Sequence, residues 1–272
     1  GEYDYFFPCA SLKYSFDDST DLQDGYSRTI RRPEVSVLSG VWRINEEEQI
    51  ITAPNPGLEP ELSDNLSIRL VKYFEPVGMV AINYYRNRVK GLFQTQDLTA
   101  QEFGYTGDAY ADYIFRTTTT VGGEAIDIKG FELEFSHAMD YLPGPFDGLS
   151  VRGSLMINDP EIPIVRSADT IGSLSLSYKK GPAKLYFNSV WTDEKYRSTT
   201  PTWFDDYWDT NLSGSYQLRK GWEAFFSIRN LLNEGRNVIV SGSEDPSGTV
   251  GDHSAIYTHY GRNMTLRLRA RS

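Results

Sequence analysis

Apolar and polar residues alternate along most of this chain. Between Asp64 and Lys72 one parity reads Leu66, Ile68, Leu70 and the other Asn65, Ser67, Arg69. From Leu149 it reads Leu149, Val151, Gly153, Leu155, Ile157 against Ser150, Arg152, Ser154. After Trp208, Leu212, Gly214, Tyr216 and Leu218 oppose Asp209, Asn211, Ser213, Ser215 and Gln217, and from Trp222, Ala224, Phe226 and Ile228 oppose Glu223, Ser227 and Arg229. The last segment sets Met264, Leu266, Leu268, Ala270 against Thr265, Arg267, Arg269, Arg271. Neighbouring side chains of a strand point to opposite faces, so each segment predicts a strand with one apolar and one wet face. Convincing helical spacing is missing. Alternating segments predict about eleven strands, beginning near residues 10, 20, 62, 78, 111, 149, 169, 183, 205, 222 and 255.

The connections sort by length. Tight ones, such as 74–78, 142–148, 179–182 and 219–221, carry the Gly or Pro of a short turn. Long polar ones are expected at 31–61, 94–110 and 232–254, with shorter ones near 159–168 and 197–204. Short and long alternate, which in an up-and-down sheet sends all tight turns to one end and all long loops to the other. A globular sandwich has no reason to segregate them, whereas an outer-membrane barrel does. The fold expected is therefore all-β, an antiparallel up-and-down transmembrane β-barrel segment of about eleven strands. Aromatics at strand ends, including Tyr73, Phe74, Trp191, Tyr207, Trp208 and Trp222, suit interfacial girdles. In the competing soluble sandwich the same aromatics would fill a core.

Composition narrows the function. Among 272 residues, 37 acidic against 27 basic side chains give a net charge of −10, which speaks against a general nucleic-acid binder. Aromatics at 14% are too many for disorder. The single cysteine, Cys9, excludes an intrachain disulfide framework and an all-cysteine metal site. The first residues lack the basic start and apolar stretch of a signal peptide, and no apolar run is long enough for a membrane helix. A mean hydropathy of −0.45 does not argue against a membrane, because barrel strands are apolar only at alternate positions.

Particular motifs then become recognisable. The stretch Tyr26–Glu34, reading YSRTIRRPE, resembles a signature in the barrel of the TonB-dependent outer-membrane receptors. Asn55-Pro56-Gly57-Leu58-Glu59-Pro60-Glu61, with Ser63 and Asn65, looks like the family's N-P-x-L-x-P-E-x-S-x-N. Tyr73–Gly78 resembles its periplasmic turn, and Ile128-Lys129-Gly130-Phe131-Glu132-Leu133 its I-x-G-x-E-L strand. Phe226–Glu234 is similar to the element before the last long loop, and Gly261-Arg262 with Leu266, Leu268 and Ala270 to the closing strand. The order and spacing run from about Tyr5 to Arg271.

The resemblance implies a plugged barrel of about 22 strands that binds a scarce ligand from outside, commonly a ferric siderophore, a cobalamin or an oligosaccharide. TonB and an inner-membrane motor would act through the plug. Residues 1–272 match the C-terminal half of the barrel. The plug and TonB box are expected to be absent, so the chain alone would be an incomplete transporter. Its partners would be outer-membrane lipid, the missing strands and plug, TonB and the barrel-assembly machinery. The family usually closes on an aromatic, and Ser272 stands there instead, so inefficient insertion is expected. The alternative reading is a soluble, secreted all-β binding or adhesion module.

No enzyme, cofactor or metal site is expected. His137, His253 and His259 lack metal-ligand spacing, and Gly122-Gly123 lacks the G-K-[ST] of a phosphate loop. Glu132 and Glu134 share a face and read as lumen carboxylates rather than an acid/base pair, and Asp205-Asp206 reads as a solvated loop edge rather than a cation site. The ligand-binding candidates are loop aromatics and their polar neighbours: Trp42, Arg43, Phe103, Tyr105, Tyr110, Trp203, Phe204, Tyr257 and His259. Aromatic faces could stack on sugars or catecholates and arginine could clamp an anion; packing of loop on loop is the competing role.

Overall fold

Strand formation follows the alternation throughout the computed structural model, which describes residues 4–121, 123–197, 202–244 and 250–270. Nineteen strands lie among the described residues. Eleven form one sheet in chain order: β1 (Cys9–Asp17), β2 (Thr20–Arg31), β5 (Glu61–Phe74), β6 (Gly78–Lys90), β9 (Ile126–Ala138), β10 (Leu149–Pro160), β11 (Thr170–Lys180), β12 (Ala183–Thr192), β15 (Tyr207–Arg219), β16 (Trp222–Arg229) and β19 (Asn263–Ala270). The pairs from β10 onward are antiparallel. Among the described residues, helix is confined to α1 (Val35–Leu38), α2 (Ala100–Phe103) and one 3-10 turn, Gly144–Phe146.

The long connections are not irregular loops. Those after β2 and β6 hold β3 (Arg43–Asn45), β4 (Ile50–Ala53), β7 (Phe93–Leu98) and β8 (Ile114–Thr120), which pair in the order β3-β4-β8-β7. Those after β12 and β16 hold β13 (Lys195–Tyr196), β14 (Thr202–Phe204), β17 (Arg236–Glu244) and β18 (Val250–Thr258), in the order β13-β14-β17-β18. Two expected starts are thereby corrected. The segment near 111 becomes β8 of a small sheet, and the large-sheet strand begins at Ile126. The segment near 255 falls in β18, and the large-sheet strand begins at Asn263. Both segments are indeed strands, but a strand-forming stretch does not by itself say which sheet it joins. β8 buries Phe115 in the core of the small sheet. The expectations for Gly122 and Ser272 fall outside the described residues.

Two compact units divide the residues: 1–10, 25–66 and 86–128 form one, and 11–24, 67–85 and 129–272 the other. In the first, Ile51, Ala53, Ala100 and Phe115 make a core between the small-sheet strands and α2. Thr99 caps α2, accepting from the Glu102 backbone N–H while the Glu102 carboxylate accepts from the Thr99 N–H at 2.8 Å. Arg116 on β8 grips Asp97 on β7 with Nε and Nη2 at 2.7 and 2.8 Å.

In the second unit the register shows what the alternation is for. Leu176, Phe187, Leu212, Ile228 and Met264 lie opposite one another from β11 to β19, as do Tyr178, Leu185, Gly214, Phe226 and Leu266. This apolar face is exposed: Leu174 by 43%, Leu218 by 56% and Leu266 by 83%. Its buried hydroxyls, Ser189 and Thr210, bond each other at 2.7 Å, as polar groups on an apolar face must. Beside them Trp191 and Trp208 face each other across the strand pair.

The opposite face is cross-linked by polar side chains. Arg69 donates to Glu134 at 2.8 Å, Asn83 to Glu132 at 3.1 Å and Ser67 to Asn83 at 2.9 Å, so both glutamates sit on the wet face in charge-compensating or bonded positions. The Tyr85 hydroxyl donates to Asn158, with the Tyr85 ring lying over Gly130. A Cβ at Gly130 would meet that ring and the Ile157 carbonyl, which explains the glycine of the I-x-G-x-E-L strand. Gly78 plays the same part in the tight turn, where the ring of Phe74 occupies the space a Cβ would need.

Candidate functional site

The nine candidate residues fall into two groups, one per unit. In the first, Trp42 packs edge-on to Phe115 at 5.6 Å and lies 6.1 Å from Phe103 and 6.0 Å from Tyr105. Phe103 stacks on Phe115 at 4.7 Å, and Tyr110 lies 6.2 Å from Tyr105. These four rings thus converge on the core of the small sheet. Arg43, on β3, is exposed and does not join them.

In the second group the expected loop residues Trp203 and Phe204 form part of β14, and Tyr257 part of β18. Trp203 pairs with Tyr196 on β13 and Ile239 on β17, and Phe204 with Lys195 and Val238. Tyr257 stacks on His259 at 6.1 Å, and His259 Nε2 donates to the Asn233 carbonyl at 3.0 Å. The pairing brings together residues far apart in the chain and opens two cavities with Lys195 in both linings.

The cavity of about 240 Å³ is lined by Arg166, Lys195, Phe204, Asp205, Tyr207, Arg236 and Asn237. Tyr207 lies on the polar parity of β15, with Asp209 and Asn211. The Arg236 guanidinium lies 4.6 Å from its ring centre, and Lys195 Nζ lies 6.0 Å from it. Arg236 Nη2 also reaches the Tyr207 hydroxyl at 3.5 Å. Arg166 holds a left-handed backbone, φ 65°, with its N–H donating to the Tyr196 carbonyl at 2.7 Å. Strain of this kind in a non-glycine residue marks a position its surroundings over-determine. Asp205, the one carboxylate in the lining, accepts from Asn237 Nδ2 at 3.3 Å and from the Asp206 N–H at 3.1 Å. Among the described residues no carboxylate lies within 4.0 Å of Arg166, Lys195 or Arg236. Three cations beside two rings suit an anion, above all a planar one.

The larger cavity, about 380 Å³, has the opposite character, with Asp159, Glu161, Asp169 and Glu194 beside Tyr196 and Trp203. Burial, then the neighbouring Asp193, Asp205, Asp206 and Asp169, push the Glu194 carboxyl above its usual range. The adjacent Asp206 accepts from Trp191 Nε1 at 3.0 Å, so the Asp205-Asp206 pair is engaged in local bonds, as expected of a loop edge. Among the described residues no cluster of three or more His, Cys, Asp or Glu is placed to hold a metal ion.

Sequence reading missed Arg166, Lys195, Arg236 and Asn237, and gave Tyr207 only as an interfacial aromatic. Arg166 is the only cation between Asp159 and Asp169, a signal that was available. Its meeting with Lys195 and Arg236 depends on β13-β14-β17 pairing, which alternation does not encode.

Residues 1–231 match the family model described as TonB dependent receptor-like, beta-barrel. No curated protein matches the chain. Among solved structures it is similar to a mutant of the ferric enterobactin receptor of Pseudomonas aeruginosa, with 17% identity and a TM-score of 0.65, covering 97% of this chain and 40% of that one. It is also similar to the ferripyoverdine receptor of the outer membrane of Pseudomonas aeruginosa, with 16% identity and a TM-score of 0.61, covering 99% of this chain and 33% of that one. A copper transporter matches at 14% identity and a TM-score of 0.65, covering 96% of this chain and 38% of the transporter. The chain thus spans less than half the length of each. By family match and by fold, the chain belongs to the TonB-dependent receptors, as part of their β-barrel.

Proposed function

We propose that this chain forms part of an outer-membrane, TonB-energised receptor that takes up a scarce anionic ligand. A ferric siderophore is favoured over a cobalamin or an oligosaccharide. The carrying observation is the pair of faces: one apolar and exposed from strand to strand, the other polar and hydrogen-bonded. A water-soluble monomer rarely leaves so continuous an apolar face uncovered, whereas lipid covers it without cost. The polar face would line the lumen and meet the plug through which TonB acts. The outermost strands of the large sheet, β1 and β19, would pair with further barrel strands, since an open edge in hydrocarbon leaves backbone groups unsatisfied. The barrel-assembly machinery would insert the whole.

The anionic preference rests on Arg166, Lys195 and Arg236, and metal-chelate complexes in the relatives' names point to the same class of cargo. Uptake of radiolabelled ferric catecholate and ferric hydroxamate complexes, ferrioxamine and copper salts by cells carrying the complete receptor tests it. Anionic iron complexes should be taken up, and Arg236→Ala should raise their half-saturating concentration roughly tenfold, the loss of about one charge-assisted contact. Uptake confined to cationic or neutral cargo would overturn the reading.

A further inference from the structure

Beyond cargo, the outward parity of the first unit carries a second charged feature. On β5, Asp64 continues the parity of Leu66, Ile68 and Leu70, the last two 41% exposed. Tyr26 and Arg28 of β2 reach Asp64 on that side, the hydroxyl donating at 2.8 Å and Arg28 Nε lying 3.6 Å away. Asn65 meets Thr29 Oγ1 at 3.1 Å on the opposite face, so the two sides are distinct. On β6 the parity of Val80 and Ile82 continues into Arg86, Arg88 and Lys90, all exposed. Arg86 is paired with Asp127 of β9, on the parity of Phe131 and Leu133.

Within the first unit, among the described residues, this parity carries four cations, Arg28, Arg86, Arg88 and Lys90, against two carboxylates. Lys129, next along β9 and outside this unit, is paired with Asp159 at 3.2 Å. Each carboxylate holds one arginine, and Arg88 and Lys90 have no carboxylate within 4.0 Å among the described residues. A surplus of +2 is concentrated where the apolar run stops, in a chain whose net charge is −10. It lies on the side of β6 that leads into the long connection. Water alone would be served by any charge; a surplus of guanidinium and ammonium groups selects anions, and arginines pre-set by aspartates present fixed forks to a phosphate.

We propose that Arg88 and Lys90, flanked by the Arg86–Asp127 and Arg28–Asp64 pairs, form a binding strip for the phosphates of an outer-leaflet lipid headgroup. This rests on the outer-membrane reading above. Long basic side chains at the margin of an apolar band extend to the headgroup level, and anionic lipid collects beside them.

The test uses the complete receptor in neutral detergent micelles doped with bisphosphorylated lipid A, its dephosphorylated form, or inorganic phosphate at matched concentration. Heat-modifiable migration establishes that each variant is folded. The parent should retain bisphosphorylated lipid A at least fivefold over the dephosphorylated form, and Arg88→Gln/Lys90→Gln should abolish that preference while remaining heat-modifiable. Inorganic phosphate should not compete. Asp127→Asn, which removes the carboxylate paired with Arg86, should retain as much lipid or more. Equal retention by parent and double variant, or full competition by inorganic phosphate, would overturn the strip while leaving the transporter reading intact. A parent that never becomes heat-modifiable would remove both.

Discussion

One glycine and one glutamate show how individual residues are constrained. At Gly130 a methyl group collides with the Tyr85 ring and with backbone, and the ring is held by its bond to Asn158. Gly130→Ala should therefore lower barrel stability by about 1–3 kcal/mol, as overpacking does, read as the temperature at which heat-modifiable migration is lost. Tyr85→Phe, which keeps the ring and drops the hydrogen bond, should cost less. Glu194 illustrates the charge side. Its carboxyl is raised, so the folded state holds the proton more tightly than the unfolded chain does. Stability linked to this group is present below the unfolded pKa, about 4.3, and is lost as pH rises through the folded value. Glu194→Gln should match the parent near pH 4 and exceed it in melting temperature at pH 7; a difference independent of pH would mean that the clustered aspartates do not reach it.

At the scale of elements, the recognisable motifs turn out to be clasps. Asn230, at φ 54°, donates from Nδ2 to the carbonyls of Glu234 at 2.8 Å and Gly261 at 3.2 Å, while its Oδ1 accepts from the Glu234 N–H at 2.9 Å. Arg262 Nε donates to the Leu231 carbonyl at 2.9 Å, and Glu234 accepts from the Trp208 N–H at 2.6 Å. The two motifs thus tie together the ends of the connection that carries β17 and β18. Asn55 similarly donates to the Thr118 carbonyl, and Glu61 accepts from the Phe93 N–H. Asn230→Ala should cost about 2–4 kcal/mol through lost bonds and a strained φ; Asn230→Gly relieves only the φ and should recover part of it. Proteolytic cutting between 230 and 262 would report the opening. This also explains what was legible. Nine of the eleven large-sheet strand starts, the tight turns and the motif residues were readable because each obeys a local rule. The small sheets were not, because β4 pairs with β8 in parallel and β14 with β17 across β15 and β16. Trp42, Phe103, Tyr105 and Tyr110 read equally as ligand-facing or as packing loop on loop, and they gather at the core around Phe115. The cation-lined cavity formed where no motif pointed.

At the scale of the molecule, the two faces of the large sheet give opposite answers to one substitution. Leu174 and Ser175 are neighbours on β11, the first opposite Ser189 on the apolar face and the second opposite Asn188 on the polar one. Asn188 Nδ2 donates to Ser175 Oγ at 2.8 Å. If the apolar face meets lipid, an arginine at Leu174 must be carried into hydrocarbon, at about 2–4 kcal/mol near the midplane. An arginine at Ser175 points into a polar, wet space and loses one hydrogen bond, about 1 kcal/mol. Water in place of lipid reverses the expectation: Leu174 is already 43% exposed, and a charge there would be nearly free. Leu174→Arg in the complete receptor should therefore cut the folded, heat-modifiable yield severalfold while Ser175→Arg leaves it within twofold. Equal yields would mean that the exposed leucines face water or a protein partner, and the membrane assignment of this face would fall with them.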